Sequence, residues 1–101
     1  MTKYNKLVRD KIPEYIIGKG GKPITHIADE KEYWTKLLEK LTEEINEFKE
    51  NESPEEYADI LEVVKAIAEY KGFDLKEVES IREKKAQERG VFKKRIILDE
   101  S

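Results

Sequence analysis

Four acidic residues stand in two matched pairs near the centre of the sequence. Glu44 is followed three residues later by Glu47, and Glu56 is followed three residues later by Asp59. Residues spaced in this way lie on one face of an α-helix, so each pair presents two carboxylates together. Carboxylate oxygens are the ligands that hard divalent cations such as Mg²⁺ prefer. The spacing therefore predicts a divalent-metal site, provided that the two pairs lie on neighbouring helices.

The residues between the two acidic pairs predict that neighbouring arrangement. Residues 51–54, with the sequence NESP, indicate a tight turn in which Ser53 caps a helix and Pro54 occupies its first position. A turn this short makes its flanking helices antiparallel neighbours. Counting outward from the turn then places the first acidic pair level with the second.

Helical geometry also predicts which acids point inward. With Tyr33 taken as 0°, the apolar side chains of the preceding helix cover an arc of roughly 0–140° around its axis. Glu44 falls inside this arc at about 20°, and Glu47 lies about 40° beyond its edge. On the following helix, Glu56 lies within about 40° of the apolar face and Asp59 flanks it. Glu43 falls on the opposite, solvated side. Inward carboxylates repel each other and lose hydration, and a bound cation offsets both costs.

The alternative is that all four acids are ordinary solvated side chains. The chain contains 23 Asp and Glu residues, and lone charges on helices usually face water. Two matched inward pairs across one hairpin favour the metal site over this alternative.

Basic residues near both ends of the chain are candidates for binding phosphate. Lys85 and Arg89 continue a helix face that begins with Leu75 and Val78, and such cations bind phosphate oxygens. The alternative for them is a simple interaction with the helix dipole. Further candidates of the same kind are Lys93, Lys94 and Arg95. Lys6 and Arg9 are expected either to contact the same anion or to pair with Glu residues across the bundle.

Helix caps and breakers predict four helices that position these residues. Their expected ranges are about 10–18, 29–51, 53–71 and 75–89, with Asp10, Asp29, Ser53 and Asp74 as the capping residues. Residues 1–9 are expected to form an ordered arm. Residues 24–28 and 92–98 are strand-like and could pair as a short ribbon on the bundle. The predicted fold class is all-α (mainly α), a four-helix bundle with or without this two-stranded β ribbon.

Composition narrows the classes of function. The 101 residues carry a net charge of −3, which argues against nucleic-acid binding. The chain contains no cysteine, which excludes disulfides and thiolate metal sites. No apolar run approaches the ~20 residues that span a bilayer, and no secretory signal is recognisable at the N-terminus. We therefore expect a single cytoplasmic domain over residues 1–101 that does not bind membranes or nucleic acid. A core this small also favours self-association.

At these residues the sequence resembles the MazG-like all-α nucleoside triphosphate pyrophosphatases. The acidic motif E-E-x-x-E stands at residues 43–47, and E-x-x-D stands at residues 56–59. Residues 5–13 (NKLVRDKIP) and 85–92 (KAQERGVF) are similar to a compact, phosphoribosyl-ATP pyrophosphohydrolase-like branch of that superfamily. The resemblance covers almost the whole chain.

The resemblance implies an enzyme that uses Mg²⁺, or Mn²⁺ in its place. It would cleave a nucleoside triphosphate between the α and β phosphates, giving a nucleoside monophosphate and pyrophosphate in the house-cleaning of non-standard nucleotides. A homodimer or homotetramer is implied as well. The implied catalytic and metal residues are Glu44, Glu47, Glu56 and Asp59. The phosphate-binding candidates are Lys85, Arg89, Lys6 and Arg9.

Two alternative functions stay open at this point. The first is hydrolysis of phosphoribosyl-ATP itself, which differs only in the pocket for base and ribose. The second is a non-enzymatic helical interaction module that uses the hairpin as a partner surface.

Overall fold

Four helices account for the regular structure of the computed structural model, which describes residues 2–101. They are α1 (Ile12–Gly18), α2 (Glu30–Glu50), α3 (Pro54–Lys71) and α4 (Leu75–Arg89). The prediction of an all-α fold is confirmed. Met1, the first residue of the predicted arm, lies outside the described residues. None of these four helices has the length and apolar character needed to cross a membrane.

Side-chain caps and glycines set most of the helix ends. The Asp29 carboxylate accepts a hydrogen bond of 2.8 Å from the backbone N–H of Glu32, and so caps α2. The Ser53 hydroxyl accepts one of 3.3 Å at the start of α3. Helix α3 ends before Gly72, whose φ of 71° lies in the left-handed region that glycine adopts without strain. Asp74 caps α4 by accepting a hydrogen bond of 2.9 Å from the Lys76 N–H. Three of the four predicted caps are therefore used.

Helix α1 begins differently from the prediction. Its N-cap is Lys11 rather than Asp10, and no side chain caps it. Pro13 in the first turn lacks an N–H, so one of the donors that a cap would satisfy does not exist. The Ile12 N–H donates instead to the Arg9 carbonyl at 3.0 Å.

Residues 2–101 contain no β-strand, so the all-α fold occurs without the optional two-stranded ribbon. Apolar side chains in both segments face solvent, with Ile27 96% and Phe92 97% exposed. A lone two-stranded ribbon is marginal in water unless other elements cover one of its faces. Neither segment has such cover in the described chain.

The described chain divides into two compact units, one ending at Ile67 and the other beginning at Ala68. The first unit holds the N-terminal arm (residues 2–10), α1, α2 and most of α3. Its buried side chains are few: Leu37 is 1% exposed, and Val63 and Glu44 are also buried. The second unit holds the end of α3, α4 and the C-terminal residues. The expectation of one domain over residues 1–101 stays a prediction.

The different use of Asp29 and Asp10 gives a matched pair of substitutions. We expect Asp29→Ala to lower the free energy of unfolding by about 1 kcal/mol, because the α2 cap is lost. Asp10→Ala should change it by less than about 0.5 kcal/mol, since that side chain caps nothing. Urea unfolding followed by circular dichroism measures both. Equal losses in the two variants would contradict the assignment of Asp29 as the cap.

Candidate metal centre

Carboxylates from α2 and α3 converge on one flank of the hairpin that these helices form. One oxygen from each of Glu44, Glu56 and Asp59 lies within 4.8 Å of the other two. We refer to these three residues as the acidic cluster. Glu56 and Asp59 stand three residues apart at the start of α3, while Glu44 comes from the last part of α2. The tight turn between the helices brings the two parts together, as the spacing predicts.

Two oxygens of the acidic cluster lack partners. Glu44 is 6% exposed, and its Oε2 atom is buried without a hydrogen-bond partner among the described residues. The Oε2 atom of half-buried Glu56 is in the same state. A buried carboxylate oxygen without a hydrogen-bond donor destabilises the fold, because it has lost its hydration without gaining a hydrogen bond. A hard divalent cation would supply the missing partner, so the residues of the cluster fit an ion of the Mg²⁺ type.

The pKa of Glu44 reflects this environment. Burial, the largest influence, disfavours the charged form, and the neighbouring Glu47 charge acts in the same direction. A hydrogen bond from Lys40 opposes both effects. The net result is a pKa of Glu44 above the ordinary value of 4.5.

Lys40 is a part of this centre that the sequence reasoning missed. Its Nζ atom lies 3.3 Å from Oε1 of Glu44 and 3.2 Å from Oε2 of Glu43, and its side chain is 16% exposed. Lys40 therefore binds one oxygen of Glu44 and leaves the other without a partner. The signal was present in the sequence, since Lys40 precedes Glu43 and Glu44 by the three and four residues that favour ion pairs on a helix.

Glu47 takes a different position from the other predicted ligands. It is exposed and is not a member of the three-residue acidic cluster. Its side chain interacts with Glu44, whose pKa it helps to raise. The structure thus brings together three of the four predicted metal ligands and places the fourth beside one of them. The assignment of metal-binding and catalytic roles to all four stays a prediction.

The N-terminal arm supplies positive charge to this flank of the hairpin. Lys6 Nζ lies 2.8 Å from Glu43 Oε1, and an Arg9 guanidinium nitrogen lies 2.8 Å from Asp59 Oδ1. Of the two roles considered for these cations, the structure shows pairing with acids. Lys36 also donates to the Asn5 carbonyl at 2.8 Å and holds the arm against α2.

Glu43 is a correction to the angular analysis, which placed it on the solvated side. It is half-buried, because the arm lies over a surface that a single-helix count treats as open to water. Burial raises the pKa of Glu43, but hydrogen bonds from Lys6 and Lys40 outweigh it and hold the pKa below 4.5. The Glu43 hydrogen bond likewise raises the pKa of Lys6.

The remaining phosphate candidates lie in the second unit. Lys85 and Arg89 are exposed on α4, and the further candidates at residues 93–95 are exposed beyond its end. Arg82, on the same helix, pairs with Glu79. Binding of phosphate by Lys85 and Arg89 stays a prediction.

Comparisons of the chain with models of protein families, with curated proteins and with solved structures found no match. The resemblance to MazG-like pyrophosphatases therefore stays a prediction. The case for a function depends on the acidic cluster and the charges around it.

Replacing the buried carboxylate tests this electrostatic description. In metal-free protein at pH 7, Glu44→Gln should raise the free energy of unfolding by about 1 kcal/mol, because it removes a desolvated charge beside Glu47. Glu39→Gln, on the exposed side of α2, is the matched control and should change it by less than about 0.5 kcal/mol. Chemical unfolding in the presence of a chelator measures both.

The same variant has a predicted pH dependence. Between 4.5 and the raised pKa of Glu44, the folded state binds more protons than the unfolded state, so this residue lowers stability as pH rises. The gain in the free energy of unfolding caused by Glu44→Gln should therefore be complete at pH values above the raised pKa and should vanish below pH 4.5. An advantage that grew toward low pH would contradict the assigned cause.

Proposed function

We propose that this chain is a Mg²⁺-dependent nucleoside triphosphate pyrophosphohydrolase of the MazG-like kind, acting in the cytoplasm on non-standard nucleotides. It would cleave the bond between the α and β phosphates and release a nucleoside monophosphate and pyrophosphate. The observation that carries the proposal is the pair of buried, unpartnered oxygens on Glu44 and Glu56 within the acidic cluster. The resemblance of residues 43–47 and 56–59 to the acidic motifs of that superfamily supports it.

Within this proposal, Glu44, Glu56 and Asp59 hold the cation, which could be Mn²⁺ in place of Mg²⁺. When bound, such an ion neutralises charge on phosphate oxygens and makes water more acidic. Mg²⁺ is typically held by a few protein ligands, and water and phosphate oxygens complete its coordination. A triphosphate supplies oxygen ligands that can complete the coordination of such an ion.

We assign Glu47 to the activation of water. It is exposed and stands beside the acidic cluster, so it can accept a proton from a water molecule near the bound phosphate. Attack of that water on the α phosphorus would break the bond to the β phosphate and release pyrophosphate. Lys6, Arg9, Lys85 and Arg89 are the cations proposed to bind phosphate oxygens.

The proposal is tested with a panel of standard and damaged nucleoside triphosphates in the presence of Mg²⁺. Pyrophosphate and a nucleoside monophosphate should form in equal amounts, and a chelator should abolish the reaction. Orthophosphate as the first product would contradict cleavage between the α and β phosphates. Including phosphoribosyl-ATP in the panel decides between the two enzymatic alternatives.

Two kinds of variant should separate metal binding from water activation. Asp59→Asn should lower both Mn²⁺ affinity and hydrolysis, the latter by about 100-fold or more. Glu47→Gln should lower hydrolysis by a similar factor while Mn²⁺ binding is kept. Glu62→Gln, an exposed acid on α3, is the control and should leave both unchanged. Full Mg²⁺-dependent hydrolysis by Asp59→Asn or Glu47→Gln would overturn the assignment.

The other flank of the hairpin is apolar, and we propose that it mediates self-association. Leu61 is 55% exposed, and Leu38, Ile45, Tyr57 and Val64 are exposed as well. An open groove of about 480 Å³ runs beside them, lined by Phe48, Pro54, Tyr57 and Leu61. At 100° per residue, Leu61 lies about 160° around α3 from Asp59. We refer to these residues as the apolar flank.

An exposed apolar surface of this kind is typical of an interface between proteins. It supports the proposed homodimer or homotetramer, in which copies of the chain cover one another's apolar flanks. It is also the observation that favours the second candidate function, a non-enzymatic helical interaction module. That candidate predicts no effect of Mg²⁺ on thermal unfolding and no hydrolysis of any nucleotide.

A charge placed on the apolar flank should break the assembly. We expect Leu61→Glu to reduce the mass measured by light scattering to that of the 11.9 kDa monomer, because a carboxylate cannot be buried there without a partner. Ile17→Glu, at an exposed apolar position on α1, is the control and should keep the wild-type mass. A wild-type protein that is already monomeric would contradict the proposal.

A further inference from the structure

The arm bridges both helices of the hairpin through charged groups. Lys6 contacts Glu43 on α2, and Arg9 contacts Asp59 on α3, which lies 50 residues away in sequence. Between these two cations, Leu7 and Val8 are half-buried. The arm is thus held by two ion pairs, by the hydrogen bond from Lys36 to the Asn5 carbonyl and by the partial burial of Leu7 and Val8.

One of these ion pairs involves a member of the acidic cluster. The Arg9 guanidinium lies 2.8 Å from Oδ1 of Asp59, an oxygen of a residue that groups with Glu44 and Glu56. A guanidinium and a divalent cation at the same carboxylate repel each other. Each must therefore weaken the hold of the other on Asp59.

The ion pair of Arg9 and Asp59 is also easily exchanged. Both side chains are partly exposed, at 56% and 38%, so water and salt screen their attraction. The oxygens of Glu44 and Glu56 that lack partners are buried and cannot be satisfied by the arm in this way. A divalent cation would satisfy those oxygens and displace only a weak contact.

We propose that the arm is a metal-released strap: Arg9 binds Asp59 while the cluster holds no metal, and a divalent cation at the cluster frees Arg9. The freed guanidinium stays near the cluster, because Lys36 still holds the Asn5 carbonyl and α1 begins three residues beyond Arg9. It is then available to bind a phosphate oxygen beside the metal. This inference rests on the proposed metal site, and it adds an order of events in which the metal binds before the anion.

The test uses a divalent cation alone as the probe and the full chain, with Mn²⁺ for calorimetry and diamagnetic Mg²⁺ for NMR. Exchange of the Arg9 guanidinium protons with water, followed by NMR, reports on the ion pair with Asp59, and calorimetry reports on Mn²⁺ affinity. In the wild type, Mg²⁺ should speed this exchange, because the guanidinium loses its contact with Asp59. Arg9→Gln should bind Mn²⁺ about fivefold or more tightly than the wild type.

Lys3→Gln is the matched control, since it removes the same charge elsewhere on the arm. It should retain both the wild-type affinity and the metal-dependent exchange. If Arg9→Gln binds Mn²⁺ more weakly, Arg9 positions Asp59 for the metal, and the strap is overturned. If the wild type binds the cation but exchange of the Arg9 guanidinium protons does not change, the strap is overturned while the metal site stands. If the wild type binds no Mn²⁺, both proposals fail.

Discussion

The hairpin depends on how the charge of Glu44 is balanced at the contact between α2 and α3. This carboxylate is among the few side chains of the first unit that are buried, together with Leu37 and Val63. Removing Lys40 would leave the Glu44 carboxylate buried without a counter-charge, a loss of about 3–5 kcal/mol, whereas an exposed pair contributes about 0–1 kcal/mol. Removing the Glu44 charge instead leaves Lys40 paired with Glu43. The pairing of Lys40 with Glu44 at 3.3 Å therefore contributes more to stability than an exposed pair such as Lys84 and Glu88.

The remaining charges on this flank follow from that constraint. Lys40 binds one oxygen of Glu44, and no other described side chain reaches the second oxygen. Arg9 balances Asp59 from outside, at a position where water still screens the pair. The contact of Lys40 with Glu44 lies within α2, whereas the arm contacts both helices from outside through exposed ion pairs. Displacing Arg9 from Asp59, as proposed above, would therefore leave the pairing of Glu44 with Lys40 unchanged.

Local sequence signals were sufficient for the helices and for the convergence of three acids. Asp29, Ser53 and Asp74 act as caps, and counting along each helix correctly placed Glu44 and Glu56 inward. These features depend only on residues within one helix or one turn. Short-range information of this kind is what a single sequence carries most directly.

The errors arose where distant parts of the chain meet. Glu43 is half-buried because the arm covers it, and a count along α2 alone cannot include that cover. The optional ribbon of residues 24–28 and 92–98 is absent for a similar reason, because strand propensity is local whereas a ribbon needs a pairing partner and a covering layer. The case of Asp10 is local instead: its side chain can cap a helix, but Pro13 and the Arg9 carbonyl already reduce the number of free donors.

The acidic flank and the apolar flank of the hairpin both affect the stability of the contact between α2 and α3. On the acidic flank, Glu44 of α2 and Glu56 of α3 are like charges that lie close together, and their repulsion opposes the contact between the helices. The apolar flank leaves Leu61 and its neighbours in water, so it adds little stability to a single copy of the chain. Covering that flank in an assembly would stabilise the hairpin and so offset the strain of the acidic cluster. If the chain assembles and binds a metal as proposed, the two events would reinforce each other, because each would stabilise the same contact between α2 and α3.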